Sequence, residues 1–305
     1  MTLTHTTSPA LSQETKNKTQ LTAEKQIIKK KKSRVNWHEA ASCALQIELR
    51  EYSDLLEYLP EYILGNNNYR IDLLVIKKLT EKLIPKNIAL IFKTFNLFEI
   101  KGIGSSVSTD AYYKTIGYAG LLISQTGDLN QYSRYDISLT FLSCHYPRSL
   151  MKHLHQLEKE HKLTVEKTAP GVYYINKETF HTQIIVTSEL SAEDNLYLRC
   201  LTNKLRDTDL ANRLANDYKL HQEQDIYVKY MHHITTANLK MKGDSFMVCE
   251  GILNLCGTSS EEIIERTKKE DAEYYLPQIN HLSSQIAYLE SLLVQNNIPF
   301  NHGND

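Results

Sequence analysis

Residues 97–102 read LFEIKG, and the identity of this run decides the fold around it. Leu97, Phe98 and Ile100 give it the apolar content of a short buried strand. Side chains alternate faces along a strand, so Glu99 and Lys101 project together while Phe98 and Ile100 project the other way. Opposite charges on one face of such a strand have two explanations. One is a surface salt bridge worth at most about 1 kcal/mol. The other is a site that uses both charges, and the flanking sequence bears on the choice.

On the N-terminal side, the turn Gly65-Asn66-Asn67-Asn68 leads into YRIDLLVIKK, residues 69–78. Its Ile71, Leu73, Leu74, Val75 and Ile76 are apolar on both faces, as in a central strand, with Asp72 near the start. Before it, the stretch WHEAASCALQIELREYSDLLEYL has helical period: Trp37, Ala41, Ala44, Leu45, Glu48, Tyr52, Leu55 and Leu56 form one stripe. Glu48 stands inside that stripe, whereas Glu39 and Arg50 fall on the polar side. A carboxylate facing a core requires a partner or a metal ion. NIALIFKTF, between the two strands, reads as a short helix or strand.

On the C-terminal side, a Gly/Ser loop over residues 102–108 precedes a helix over DAYYKTIGYAGLLIS, with Ser108 or Thr109 as its cap. YDISLTFLSC (135–144) alternates like a strand and SLMKHLHQLEKEH reads as a helix. TVEKT and GVYYI form a hairpin around Pro170-Gly171, and QIIVT (183–187) is another strand. This order predicts an α/β core. Beyond Ser191 the chain is mainly helical. EEIIERTKKEDAEYYLPQINHLSSQIAYLESLLVQ reads as two amphipathic helices broken at Pro277. Ile279, Leu282, Ile286, Leu289 and Leu293 form a seam that suits a partner helix, hence a homodimer, and equally suits packing on its own domain.

Bulk composition narrows the function classes. A 305-residue chain with 41% hydrophobic residues can build one large domain or two modest ones. Residues 1–34 carry eight Lys/Arg and two Glu, so they are +6 in a chain of net charge −1, and the rest is −7. This segment, ending in Lys29 to Lys32, reads as a disordered basic tail. The five cysteines show no CxxC pairing, and no secretory segment stands at the N-terminus. Free thiols in a reducing, cytoplasmic setting are therefore expected. No stretch is apolar enough for a membrane span, so no membrane partner is expected. The histidines lack zinc-site spacing.

Glu48, Asp72, Glu99 and Lys101 are thus the candidate constellation. Carboxylate oxygens suit a hard cation such as Mg²⁺. A bound Mg²⁺ activates water and offsets charge building on a phosphate during in-line attack. A neighbouring lysine would position that water. The spacing D–x26–ExK is by itself a weak signal, strengthened by the strands and helices around it.

These segments, from WHEAASCALQIELREY through RIDLLVIKK, NLFEIKG and TDAYYKTIGYAGLL, resemble the PD-(D/E)XK nuclease superfamily. Within it they are most similar to the Rpn-type recombination-promoting nucleases, also labelled putative transposases. The likeness continues through LTFLSCHYPRSLMKHL, GVYYI and QIIVTSELSAEDNLYLRCLTNKL, covering about residues 36 to 240. It implies a restriction-endonuclease-like αβββαβ core, placed at residues 35–190, and Mg²⁺- or Mn²⁺-dependent cleavage of DNA; the helical pattern past Ser191 reads as an extension over 191–305. On this resemblance Asp72 is the motif's aspartate, Glu99 its D/E and Lys101 its lysine. Glu48 matches the frequent helix glutamate, and with Asp72 and Glu99 would hold the metal. Tyr113 and Lys114 lie where DNA-contacting groups often stand. Position 71 departs from the pattern, with Ile in place of Pro. The competing reading is a non-enzymatic DNA-binding or assembly protein on a nuclease scaffold.

Overall fold

The computed structural model describes residues 35–59, 63–64, 69–70, 74–124, 132–239, 243–257 and 260–296. The basic tail and Asp72 lie outside the described residues. Helix α1 (Trp37–Glu48) opens on Asn36, whose side chain accepts from the Glu39 N–H at 3.3 Å. Its inward face is built on Ala40, Ala41 and Ala44, small enough to let the helix lie close to a sheet. Leu49 then leaves the helical region with φ −107, a 3₁₀ segment follows over Arg50–Leu55, and the chain becomes strand β1 (Leu56–Leu59). The sequence reads as helix to residue 59. Tyr52, Leu55 and Leu56 keep helical spacing, but a short apolar run fits a strand equally well, and pairing with β4 wins.

A small hairpin, β2 (Ile63–Leu64) with β3 (Tyr69–Arg70), stands as its own two-stranded sheet. The main sheet takes β4 (Leu74–Lys78), β5 (Phe95–Lys101), β6 (Ile137–Ser143), β7 (Thr164–Ala169), β8 (Val172–Asn176) and β9 (His181–Val186). Its seven strands run in the order β1-β4-β5-β6-β9-β8-β7. β4 lies antiparallel to both of its neighbours, β1 and β5, whereas β5, β6 and β9 are parallel. Helix α2 (Thr109–Ser124) connects β5 to β6, and α3 (Arg148–Lys159) leads on toward β7. The expected α/β class is therefore observed, as is the hairpin at Pro170-Gly171. Gly171 there has φ +72, and a Cβ on it would stand 2.6 Å from the Val186 carbonyl oxygen. NIALIFKTF forms neither a helix nor a strand of its own: residues 85–94 are turns and coil that bury Ile88, Ala89, Ile91 and Phe92, and its last residue, Phe95, opens β5.

Two cores cover the two sheet faces. Phe98, Ile100, Leu142 and Ile185 join α1 on one face. The same core takes in α4 (Leu196–Arg199), α5 (Thr208–His221), α6 (Asp225–Leu239) and α7 (Asp244–Cys256). Phe95, Leu97, Leu139, Phe141 and Ile184 join α2 and α3 on the other. Each large apolar side chain fully buried in this way contributes about 1.5–3 kcal/mol. One compact unit runs from Val35 to Ile264, past the domain boundary the sequence suggests at 190, because the helices after 191 complete the α1-side core. A second unit contains described residues 265–296, all but the last within helix α8 (Ser260–Gln295). That helix passes through Pro277 without a break, where the sequence reads as two helices. Proline there removes one N–H from the ladder.

Candidate functional site

β5 is fixed before its charged end is reached. The Asn96 side chain donates to the carbonyls of Ile76 (2.9 Å) and Lys93 (2.8 Å), and accepts from Ser138 Oγ (2.6 Å) and the Lys93 N–H (2.7 Å). Fully buried, it ties β5 to β4 and β6 and sets their register. Nothing in the local sequence flags this role.

At the other end of β5, Glu99 and Lys101 share one face, as the alternation predicts. Lys101 Nζ is 2.5 Å from Glu99 Oε1. Glu99 is 8% exposed and lies across from Phe141 of β6, while Lys101 lies across from Ser143. The pair therefore sits at the C-terminal ends of parallel strands, where open α/β sheets place ligands. Past it, Gly102 packs against the Trp37 indole so closely that a Cβ would fall 2.7 Å from Trp37 Cδ1. The Ser108 hydroxyl caps α2, accepting from the Ala111 N–H at 3.1 Å.

α2 then presents its two tyrosines differently. Tyr112 is buried against Phe141, 5.0 Å between ring centres, and its hydroxyl donates to Glu178 at 2.5 Å. Burial and that carboxylate push its pKa far above the ordinary tyrosine value. Tyr113 is 48% exposed, with its hydroxyl 2.8 Å from His153 Nε2. Lys114 is exposed, and its ammonium stands 5.3 Å from the centre of the Tyr118 ring. His153 is a partner that sequence spacing does not disclose.

Glu48 does not join this group. Trp37, at the start of α1, abuts Gly102. Glu48 is eleven residues further along the same helix, about 16 Å at 1.5 Å per residue. It also lies on the sheet face opposite Glu99. There Oε2 accepts from Lys86 Nζ at 2.8 Å, and Oε1 accepts from the backbone N–H groups of Tyr197 (2.7 Å) and Leu198 (3.3 Å). The carboxylate thus caps the first turn of α4 and pairs with a lysine. This corrects its expected place beside Glu99: the buried acid has a partner, and the partner is protein. It lines a separate cleft of about 510 Å³, with Arg50, Lys86, Tyr197, Arg213 and Asp217.

The donor set for a hard cation is accordingly incomplete within the described residues. No three His, Cys, Asp or Glu residues converge there. Glu99 supplies one carboxylate of the right chemistry, and Asp72 would have to supply a second. No described helix is long and apolar enough to cross a membrane. Comparison of the chain with protein-family models, curated proteins and solved structures finds no match in any of the three.

Proposed function

We propose that the chain is a metal-dependent DNA endonuclease of the PD-(D/E)XK type, with Asp72, Glu99 and Lys101 as its catalytic residues. The observation that carries this reading is the Glu99–Lys101 pair, 2.5 Å apart on one face at the C-terminal end of a central strand. With the β2–β3 hairpin inserted between β1 and β4, the main-sheet order α1-β1-β4-β5-α2-β6, antiparallel up to β5 and parallel from β5 to β6, supports it, since the resemblance implies an αβββαβ core.

On this reading a bound Mg²⁺ or Mn²⁺ supplies Lewis acidity toward a phosphodiester and its attacking water. Glu99 offers its carboxylate to the ion together with Asp72. Lys101 holds the water by hydrogen bonding and balances the carboxylate charge. Tyr113 and Lys114 lie on the helix that follows the pair and give a DNA backbone a hydroxyl and an ammonium. Glu48 is assigned a bracing role instead.

Metal binding tests the donor assignment without requiring turnover. Mg²⁺ or Mn²⁺ should raise the melting temperature of the wild type and leave that of Asp72→Asn unchanged. An equal rise in both proteins, or none in the wild type, would remove Asp72 from the metal site.

A further inference from the structure

The second half of α8 carries a surface the proposed nuclease does not use. From Ile279 five of its apolar residues follow spacings of three and four, Ile279, Leu282, Ile286, Leu289 and Leu293, while Tyr288, Leu292 and Val294 fall off this stripe. Leu282, Ile286 and Leu289 are 57%, 56% and 57% exposed. In heptad terms Ile279, Ile286 and Leu293 take the a positions, and Leu282 and Leu289 the d positions. Extending the register backward places Ala272 at a and Tyr275 at d, and one heptad earlier Glu265 at a and Lys268 at d, so the run of Ile and Leu at these positions lies past Pro277.

Two features select the occupant of this seam. Ile at a with Leu at d favours parallel two-stranded coiled coils over trimers and tetramers. The flanking e and g positions are Gln278, Ser283, Gln285, Glu290 and Leu292, of which one is charged. Charged e and g positions choose a partner of opposite sign. This near-neutral border calls for no such partner and puts no like charges together when two identical helices pair. We infer that residues 279–293 form a parallel, two-stranded coiled coil with the same segment of a second copy of this chain. The inference is independent of the nuclease reading.

Light scattering on the full-length chain tests it. At micromolar concentration the mass should be twice 35.2 kDa. Ile286→Asp should return it to that of one chain, and Glu290→Gln should leave the dimer intact. Asn296→Cys, at the next d position, should cross-link on oxidation through paired d residues, whereas the wild type under the same oxidant should not. A monomeric wild type would overturn the proposal, as would a dimer that survives Ile286→Asp. A dimer that Ile286→Asp disperses but Asn296→Cys fails to link would overturn its parallel register.

Discussion

Replacing Glu48 separates a brace from a catalytic group. Its carboxylate accepts two backbone N–H groups at the first turn of α4 and pairs with Lys86, while itself only 8% exposed. Glu48→Ala strips the cap and leaves those donors and the ammonium without their acceptor. Losing a helix cap costs about 1 kcal/mol, and a buried donor left unsatisfied about 1–3 kcal/mol. Breaking a fully buried ion pair costs about 3–5 kcal/mol. Because the Lys86 side chain keeps 21% exposure, water recovers part of that charge. Together these should cost about 3–6 kcal/mol. Glu48→Gln keeps an acceptor for the amides and loses the charge, so about 1–2 kcal/mol is expected. Urea denaturation followed by circular dichroism measures both. At temperatures where Glu48→Gln remains folded, its DNA cleavage should match the wild type. A Glu48→Ala protein within 1 kcal/mol of wild type, or a stable Glu48→Gln protein that has lost cleavage, would refute the brace.

Other expectations follow from single contacts. Gly102→Ala drives a methyl into the Trp37 side chain at 2.7–3.0 Å, which should cost about 1–3 kcal/mol and shift the emission of this sole tryptophan. Glu39 is held below its ordinary pKa of 4.5 chiefly by its hydrogen bond with His233. Its contribution to stability is therefore complete above pH 4.5 and is lost as pH falls through the lower folded value. Glu39→Gln should make the acid limb of the stability curve shallower; an unchanged limb would count against the pair. Burial pushes the Cys43 thiol to about 11 and Cys249 to about 12, and raises those of Cys144 and Cys200. All four should resist a thiol reagent in the native protein and react on unfolding. Rapid native labelling of any of them would contradict this packing.

Much of the architecture is legible in local pattern. The strands at 95–101 and 137–143, the Ser108 cap and the turn at Gly171 each have a short-range signal of alternation, capping residue or glycine. The helix end at Glu48 does not, because Leu55 and Leu56 satisfy both periods and only pairing with Lys78 across the sheet decides between them. The site divides in the same way. Glu99 and Lys101 are two residues apart, so their shared face follows from the pleat alone. Glu48 obeys the rule that a buried acid needs a partner, but that partner is 38 positions away at Lys86 and 149 positions away at Tyr197. No spacing within a helix can announce contacts of that range. Asn96 is hidden for a similar reason: its partners lie on two neighbouring strands.

The proposed function makes Lys101 and Glu99 the working end of a nuclease. Incubating the purified full-length chain with supercoiled plasmid tests it most directly, with Mg²⁺ or Mn²⁺ present, with EDTA, and with Lys101→Ala in parallel. Nicking or linearisation that requires the metal and disappears in Lys101→Ala is expected. Folded, metal-bound wild type that leaves plasmid, single-stranded and branched DNA intact would contradict it, as would cleavage that persists in Lys101→Ala.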